Sequence, residues 1–381
     1  MTEIRIYRSL LALSGLAFSA SFALADTDTG GFASATGSSS SAVTVTSVDE
    51  LDRAISNGSH HIVISGHIYG GSSLKTITLQ DKSWDNTTIE GENGGKAELE
   101  NIQIKISGEK LDSDKSISNI VIKNITFHGK IADLQALPKQ VQGTDNKAGV
   151  NYLGVSLRRV KNVWIDHCTF YDTSDDLFSI GLASDNVTVS YNRFYFTDQW
   201  VSMSPDPVWN WVGNDTDLAG ERLAMVVGIN KDDSYTYGGK KLHVTLHHNW
   251  LGPNLRGRPL LRGWVHVYNN YFDNSKAPDS YNKGTDGKSY PTAQYNALQI
   301  GSGSNVVSES NYFDKTNNSN QLGLDSDNDS YTFLERNNTY NQTTGKSLTG
   351  TNFTDAPVKY TYKLDSASTL PDNLKNATGP R

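Results

Sequence analysis

NVWIDHCTF, at residues 162–170, is one copy of a sequence pattern that recurs along the chain. The other copies are NIVIKNITF (119–127), NVTVSYNRF (186–194), HVTLHHNWL (243–251), WVHVYNNYF (264–272) and NVVSESNYF (305–313). In each copy apolar positions alternate with polar ones, as in a strand that buries one face. Short strands that repeat roughly every 20–27 residues, or further apart where loops intrude, are typical of a β-solenoid.

Asparagines fall into two columns when the copies are aligned on their last residue. One column contains Asn192, Asn249, Asn270 and Asn311, and the other contains Asn119, Asn162, Asn186 and Asn305. Asparagines at the same turn of successive coils can join their side-chain amides in a ladder. The columns favour an all-β, right-handed, single-stranded parallel β-helix over a β-sandwich with frequent turns.

The ends of the chain differ in composition from the repeats. Basic Arg5 and Arg8, an uncharged stretch and the small-x-small sequence at 23–25 predict a signal peptide that is cleaved before Asp26. A stretch rich in Ser, Gly and Thr follows, which cannot bury a core and predicts a mobile linker. The predicted organisation is a signal peptide at 1–25, a linker at 26–42, the β-helix at 43–365 and a polar tail at 366–381 that wraps the outside or frays.

Bulk properties narrow the class of function. The formal net charge of −7 argues against a nucleic-acid partner, for which a basic face is needed. After the signal peptide no stretch approaches about 18 continuous apolar residues, so we expect no membrane span and a secreted protein, extracellular or periplasmic. We expect a monomer. The single cysteine, Cys168, lies within an apolar strand pattern and is interpreted as a core residue.

The repeated phrases resemble the pectate lyase family in the broad sense, which includes pectin lyases. The marks are NVWIDH from Asn162, SDNVTVSYNRF from Ser184, HHN at 247–249 and VHVYNNYF from Val265, within a resemblance that runs from Val43 to Phe313. It implies a lyase that cleaves homogalacturonan, either polygalacturonate or methylated pectin, by β-elimination to 4,5-unsaturated products. In that reaction a proton leaves C5 of a uronic acid, so positive charge is needed beside the C6 carboxyl group.

The family's catalytic stretch, R-x-P-x-x-R followed by G and VHVYNN, corresponds to RGRPLLRG at 256–263. Counting forward from HHN places Gly257 at the position of the base, whereas counting back from Gly263 places Arg256 there. The stretch therefore contains a one-residue register change, which a β-bulge can absorb. We predict Arg256 as the base, with Arg258 and Arg262 as contacts to the substrate carboxylate. The alternative is that some of these arginines are solvated surface charges.

The resemblance also implies a calcium ion held by carboxylates, but several of the acidic residues expected from the family pattern are missing. Leu153 stands where relatives have Asp, and the sequence after Asp175 and Asp176 lacks a second acid of the family pattern. Gln199 follows Asp198 where relatives have Lys. Asp175, Asp176 and Asp198 form the candidate calcium set, which is small for a hard divalent cation. The loss of these acids favours methylated pectin as the substrate, or an unusual dependence on calcium. The alternative for Asp175 is that it is only a turn residue.

Aromatic residues gather in and beside a long polar excursion at 204–241. Trp200, Trp209 and Trp211, together with Gln199, are predicted to line the substrate-binding cleft, because aromatic faces suit sugar rings. The alternative is that the tryptophans anchor the loop by packing.

Two other functions remain open. A β-helical polygalacturonase needs carboxylates on both sides of the scissile bond, and the sequence offers the Asp175–Asp176 pair but lacks that family's G-H-G and R-I-K motifs. A non-catalytic polysaccharide binder descended from a lyase is the other alternative, and the arginine cluster at 256–262 speaks against it.

Overall fold

The computed structural model describes residues 28–137, 152–210, 215–276, 281–283, 289–291, 296–316, 318–322, 330–343 and 358–381. For residues 208–216, 281–283, 289–291 and 318–322 nothing beyond the assigned backbone elements is described. Most of the strands belong to three parallel sheets, here named A, B and C, which the chain visits in turn. The chain therefore forms the predicted right-handed parallel β-helix, and crossovers between parallel strands have the right-handed sense almost without exception.

The strands are numbered along the chain and listed here in their order within each sheet. Sheet A consists of β1 (Val43–Val45), β2 (His61–Ile64), β5 (Thr87–Gly91), β8 (Ile117–Lys123), β11 (Val160–Asp166), β14 (Asp185–Ser190), β19 (His243–His247), β22 (Trp264–Tyr268), β27 (Ser304–Glu309) and β30 (Tyr331–Arg336). Sheet B consists of β3 (His67–Tyr69), β6 (Glu98–Glu100), β9 (Thr126–His128), β12 (Thr169–Tyr171), β15 (Arg193–Tyr195), β20 (Trp250–Leu251), β23 (Tyr271–Asp273), β28 (Tyr312–Asp314) and β31 (Thr339–Asn341). Sheet C consists of β4 (Lys75–Leu79), β7 (Ile102–Ser107), β10 (Val155–Arg158), β13 (Phe178–Gly181), β18 (Met225–Val227), β21 (Leu260–Leu261), β26 (Asn296–Ile300) and β29 (Asn318–Leu322).

Shorter elements decorate this scaffold. The two antiparallel hairpins are β16 (Val208–Asn210) with β17 (Asp215–Asp217), and β24 (Tyr281–Lys283) with β25 (Ser289–Pro291). The α-helices are α1 (Val48–Ser56), α2 (Ile131–Ala136), α3 (Asp198–Val201) and α4 (Leu370–Ala377), and 3₁₀ turns lie at Lys82–Trp84, Leu218–Gly220 and Ala367–Thr369. Within the described ranges, no helix has the length and apolar character that crossing a membrane requires.

The core lies inside the coil, where side chains of successive strands stack. The middle residue of the sheet B strands points inward, so the rings of Phe127, Phe170 and Phe194 lie parallel with centroids 5.1 and 5.0 Å apart. Phe272 and Phe313 continue the row at 4.6 Å. All five side chains are fully buried, and each stabilises the fold by about 1.5–3 kcal/mol through lost apolar surface.

The first predicted asparagine column forms a ladder at the turn between sheets A and B. The Nδ2 of Asn192 donates to Asn249 at 3.1 Å, that of Asn249 to Asn270 at 2.9 Å, and that of Asn270 to Asn311 at 3.1 Å. Asn338 extends the ladder by a further step. Cys168 occupies the same column one coil earlier, fully buried, and its backbone N–H donates to Asn192. The ladder confirms the stacking that the sequence predicts.

Within the described ranges, the four members of the second column do not bond to one another, although the Nδ2 of Asn119 donates to Asn86 of the preceding coil at 2.7 Å. Asn119, Asn162 and Asn186 instead take left-handed backbone conformations, with φ between 52° and 61°. Asparagine tolerates this region better than most residues, because its short polar side chain bonds locally. This column therefore marks a recurrent backbone bend.

Residues 28–41, predicted as part of a mobile linker, lie as an extended strap across the outer face of sheet A. The backbone N–H groups of Phe32, Ala33 and Ser34 donate to Thr245, Thr188 and Asn162, in that order. Thr29, Ala33 and Ala35 are buried. The prediction of mobility fails here because the partners of the strap are polar side chains of the sheet, which the composition of the strap does not reveal.

The carboxyl-terminal end also wraps the outside, which is one of the two behaviours expected of the predicted tail. Leu370 and Leu374 of α4 are buried against Tyr271 of sheet B. Tyr360, just before the tail, contacts Thr245 through its hydroxyl at 2.7 Å and Phe32 through its ring at 5.0 Å. The strap and the segment that contains Tyr360 thus meet on the outer face of sheet A.

Candidate active site

A cavity of about 330 Å³ lies on the outer face of sheet C. Its polar lining consists of Gln103, Lys105, Ser156, Arg158, Asp175, Asp176, Ser179, Arg258 and Arg262, and its apolar lining of Leu153, Val226, Ile229 and Leu260. Four cations and two carboxylates therefore converge in one cavity of a protein with a net negative charge.

Strand register brings the first half of this lining together. Lys105 of β7 is paired with Ser156 of β10, which is paired with Ser179 of β13. Arg158 follows Ser156 by two residues and therefore projects from the same face of the sheet. The Nε of Arg158 donates to Ser156 Oγ at 3.2 Å, and the Ser179 hydroxyl donates to Ser156 at 3.0 Å. The result is a group of polar side chains on three adjacent strands, with Lys105 and Arg158 as its cations.

Arg262 enters the cavity beside two glycines. A Cβ added to Gly228 would lie 2.7 Å from the Arg262 Cβ, and one added to Gly301 would lie 2.7 Å from its Cγ. Gly228 also has φ of +84°, a conformation that favours glycine. The Nη1 of Arg262 donates to the Gly228 carbonyl at 2.9 Å. The glycines thus leave the space in which the arginine side chain is held.

Asp176 and Arg258 form the central ion pair of the cavity. The Arg258 Nε lies 3.1 Å from Asp176 Oδ1, and the two side chains are 22% and 7% exposed. Burial raises the pKa of Asp176 to about 7, against the opposing effect of the Arg258 charge. Burial also raises the pKa of the adjacent Asp175. At neutral pH the negative charge in the cavity is therefore reduced relative to two ionised carboxylates.

Arg256, the predicted base, lies outside the lining of this cavity. Its backbone N–H donates to the Arg222 carbonyl. Burial raises the pKa of Glu221, and the charge of Arg256 opposes that rise. The predicted β-bulge does not occur between the pairs Leu223–Gly257 and Val226–Leu260, because these are three residues apart on both strands. Arg258 instead has φ of 75°. Arg258, which has this left-handed backbone conformation, lines the cavity, whereas Arg256 does not.

The candidate calcium set is not brought together. Asp175 and Asp176 line the cavity, but Asp198 is exposed in α3, where the Nζ of Lys276 donates to both of its oxygens at 2.6 and 2.8 Å. Asn254 donates to Asp198 as well, and the pKa of Asp198 is lowered mainly by the hydrogen bond from Lys276. Asp198 is therefore a surface residue that already has its partners.

The donor chemistry of the cavity does not fit a calcium ion held by several carboxylates. Asp176 is paired with Arg258, and Leu153 places an apolar side chain where an acid is expected from the resemblance. Calcium requires six to eight oxygen ligands. Within the described ranges, three His, Cys, Asp or Glu ligand atoms approach within 4.8 Å of one another only at His67, Glu100 and His128, on sheet B.

Two of the residues predicted to bind substrate, Trp200 and Gln199, lie outside the lining of the cavity as far as the structure describes it. Trp200 is fully buried, and its ring packs against Phe196 at 5.2 Å, so it anchors α3 rather than contacting a sugar. Gln199 is exposed on α3, outside the cavity. Trp211 and the side chain of Trp209 lie outside the described residues. The packing alternative is thus the correct one for Trp200.

Lys105 and Arg158 line the site but were not predicted. Both lie in strands where polar residues alternate with buried apolar ones, IQIKIS at 102–107 and VSLR at 155–158. This alternation indicates that the polar residues face outward from a solenoid strand. The face to which they contribute becomes apparent only when the register of sheet C is known.

Comparison with known proteins identifies the family. A family model described as pectate lyase matches residues 6–204 and 216–381. The pectate trisaccharide-lyase of Thermotoga maritima is 26% identical over 232 residues, which covers 60% of this chain and 50% of that protein. The pectate lyase of Bacillus subtilis is 28% identical over 252 residues, covering 60% and 47%. The chain spans about half the length of these curated relatives.

Solved structures share the fold over almost the whole chain. Pectate lyase Bsp165PelA from Bacillus sp. N165, in complex with trigalacturonate, superimposes with a TM-score of 0.59 at 20% identity, covering 92% of this chain and 98% of that one. Pectate lyase C from Erwinia chrysanthemi, with Ca²⁺, gives a TM-score of 0.62 at 19% identity and coverages of 93% and 96%. At this sequence identity the solved structures establish the fold alone. The family is established by the family model, which matches residues 6–204 and 216–381. This chain belongs to the pectate lyase family.

Proposed function

We propose that this protein is an exported lyase that cleaves polygalacturonate by β-elimination in the sheet C cavity. The observation that carries the proposal is the convergence of Lys105, Arg158, Arg258 and Arg262 in that cavity. A uronic acid polymer carries one carboxylate on every sugar, and clustered cations recognise such a ligand through charge-assisted hydrogen bonds. The same charges stabilise the negative charge that grows on the C6 carboxyl group when C5 loses its proton.

In this proposal the arginines have separate roles. Arg158 and Arg262, which both line the cavity, hold the C6 carboxylate of the reacting sugar. Arg258 first loses a proton to solvent. The neutral guanidine then takes the C5 proton, the electron pair of the C5–H bond forms the C4–C5 double bond, and the C4–O bond breaks. The leaving oxygen then takes a proton from water. An arginine accepts a proton only after it has been deprotonated, which requires surroundings that disfavour positive charge.

Charge neutralisation by protein cations replaces calcium in this proposal. The carboxylates of the cavity are paired or partly protonated near neutral pH, whereas its cations are ready to meet an anionic polymer. Free pectate suits such a cavity better than methylated pectin, because an ester offers no charge to the arginines. A binder without activity would also use these cations, so the proposal must be tested by product formation.

The purified protein should release unsaturated product from polygalacturonate when calcium is chelated. Ultraviolet absorbance measures that product, with polygalacturonate and highly methylated pectin each assayed with added calcium and with chelator. We expect the rate on polygalacturonate to change less than about threefold on chelation, because protein cations neutralise the carboxylate. The rate on methylated pectin should be lower.

Other outcomes of this assay would change the proposal. Loss of the activity on polygalacturonate with chelator would show that a metal ion takes part in turnover. A higher rate on methylated pectin would reverse the assigned substrate. Absence of product from both polymers, combined with retained binding of polygalacturonate, would identify a binder.

The affinity for polygalacturonate should depend on the ionisation of Asp176. Its pKa of about 7 means that the carboxyl group is mostly neutral near pH 6 and mostly ionised near pH 8. Ionisation places a negative charge beside the cations, so KM should rise with pH across this window by about three- to tenfold. The variant Asp176→Asn stays neutral, and its KM should remain low and nearly constant.

Asp198→Asn is the matched control, because Asp198 is an aspartate outside the cavity. It should retain the pH dependence of the wild-type KM. A pH dependence that persists in Asp176→Asn would assign the titration to another group. A kcat for Asp176→Asn that falls by two orders of magnitude or more would instead make Asp176 the proton acceptor.

A further inference from the structure

A cluster of two histidines and two glutamates lies on the outer face of sheet B, away from the sheet C cavity. It consists of His67 on β3, Glu98 and Glu100 on β6, and His128 on β9. His67 is paired with Glu98 and Glu100 with His128 across the parallel strands. Residues two apart on a strand share a face, so three adjacent coils present four potential metal ligands side by side.

Three ligand atoms of this His–Glu cluster converge closely. One atom each from His67, Glu100 and His128 lies within 4.8 Å of the other two. His67 Nε2 lies 3.2 Å from Glu100 Oε2, and His128 Nε2 lies 2.7 Å from Glu98 Oε1. Within the described ranges, neither glutamate forms an ion pair with Lys or Arg. The carboxylates therefore face imidazoles rather than permanently charged cations.

The environment of His128 points to a cation between these groups. Its Nδ1 lies 3.2 Å from the Gly129 carbonyl, which can only accept. In the tautomer with a hydrogen on Nδ1, Nε2 has a lone pair for a metal ion. Nε2 is buried and makes no hydrogen bond, although a carboxylate oxygen is close to it. A hydrogen bond from Nδ1–H to a carbonyl is the usual outer contact of a metal-bound histidine.

The ring of His128 is also held in place. It stacks on Tyr171 with centroids 4.5 Å apart and an angle of 3° between the planes, and its side chain is 9% exposed. His67, in contrast, is 49% exposed and can rotate. In a tetrahedral zinc site with bonds of about 2.1 Å, donor atoms lie about 3.4 Å apart. A shift of roughly an ångström by His67 and Glu100 would close the cluster around an ion.

We propose that the His–Glu cluster is a binding site for Zn²⁺. Two imidazole nitrogens and one carboxylate oxygen are a donor set that suits zinc, whereas calcium and magnesium prefer oxygen alone. His67, Glu100 and His128 supply the three protein ligands, and Glu98 or water completes the coordination. The ion joins three successive coils at the amino-terminal end of sheet B and stabilises the folded chain. Its position on a different sheet separates it from the proposed reaction.

Titration of the metal-free protein with ZnCl₂ by isothermal calorimetry tests this site. The full chain is used after removal of any polyhistidine tag and dialysis against chelator. We expect one equivalent to bind with a dissociation constant of about micromolar or tighter, and the melting temperature to rise as binding to the folded state requires. CoCl₂ should give the visible absorption of a tetrahedral site. Turnover of polygalacturonate should not change.

The variants separate this site from other histidines. His67→Ala and Glu100→Gln should each weaken Zn²⁺ binding at least tenfold; His67 is half exposed, so its removal leaves the fold intact. His61→Ala is the matched control, because His61 forms a similar contact with Glu90 at 2.7 Å but has no second histidine in a metal-binding group. Wild-type protein without saturable binding, or undiminished binding in His67→Ala, would overturn the proposal.

Discussion

Replacing Arg258 with alanine should lower kcat on polygalacturonate by about a thousandfold, the loss expected when a group that acts directly on the transition state is removed. Arg258 lines the sheet C cavity and contacts Asp176 at 3.1 Å. Without the guanidinium, the C5 proton has no assigned acceptor and Asp176 loses its ionic partner. Initial rates of unsaturated product formation measure the effect, and circular dichroism establishes that the variant is folded.

Arg256→Ala is the matched control for this experiment. Arg256 is the neighbouring arginine of the same motif, but it lies beside Glu221 and outside the lining of the cavity. Its replacement should change kcat by less than about threefold, because it contacts neither the substrate nor the reacting atoms. The opposite result, with Arg256→Ala inactive and Arg258→Ala active, would restore Arg256 as the base and would reject the cavity as the place of reaction.

Asn270→Ala should lower the free energy of unfolding by about 3–5 kcal/mol, which is unusually large for one side chain. The Asn270 Oδ1 accepts from the backbone N–H and the Nδ2 of Asn249, at 3.0 and 2.9 Å. Its Nδ2 donates to the carbonyls of Leu246 and Tyr268 and to Asn311. Alanine would leave several of these buried groups without a partner. Chemical denaturation followed by circular dichroism measures the change.

Asn373→Ala provides the comparison for the ladder variant. Asn373 is an exposed asparagine in α4, and its Nδ2 donates only to Thr369 at 3.3 Å. Replacing Asn373 with alanine should lower the free energy of unfolding by no more than about 0.5 kcal/mol, as is usual for a surface position. If the two variants were equally stable, the ladder would have to be regarded as a consequence of the coil rather than a source of its stability.

The fold was predictable because the solenoid repeats its local chemistry. Alternating strands and the column of Asn192, Asn249, Asn270 and Asn311 indicate stacked coils, and the structure contains that ladder. The next step, at Asn338, was not predicted, because residues 331–336 lack the Val and Ile alternation of the other copies. The left-handed backbone conformation of Asn119, Asn162 and Asn186 was not predicted either, because it depends on backbone φ angles rather than on side-chain pairing.

The site was predictable only in part. The arginine motif correctly indicated a cluster of positive charge, but counting residues could not show that Arg258 would take φ of 75° and line the cavity in place of Arg256. Asp198 and Trp200 are close in sequence to a loop beside the cleft, yet one pairs with Lys276 and the other is buried. Lys105 is distant in sequence from the motifs and reaches the site through strand register alone.

The strap gives the chain a defined order of assembly. Its anchors Asn162, Thr188 and Thr245 are separated from their strap partners by 128, 155 and 213 residues. Contacts that close such long loops form late, since the intervening coils must already be stacked. The strap is synthesised before these coils, but we expect it to dock last. Its docking distinguishes a completely folded solenoid from one in which the coil of β19 has not yet formed. Protection of the strap against proteases would report completion of folding.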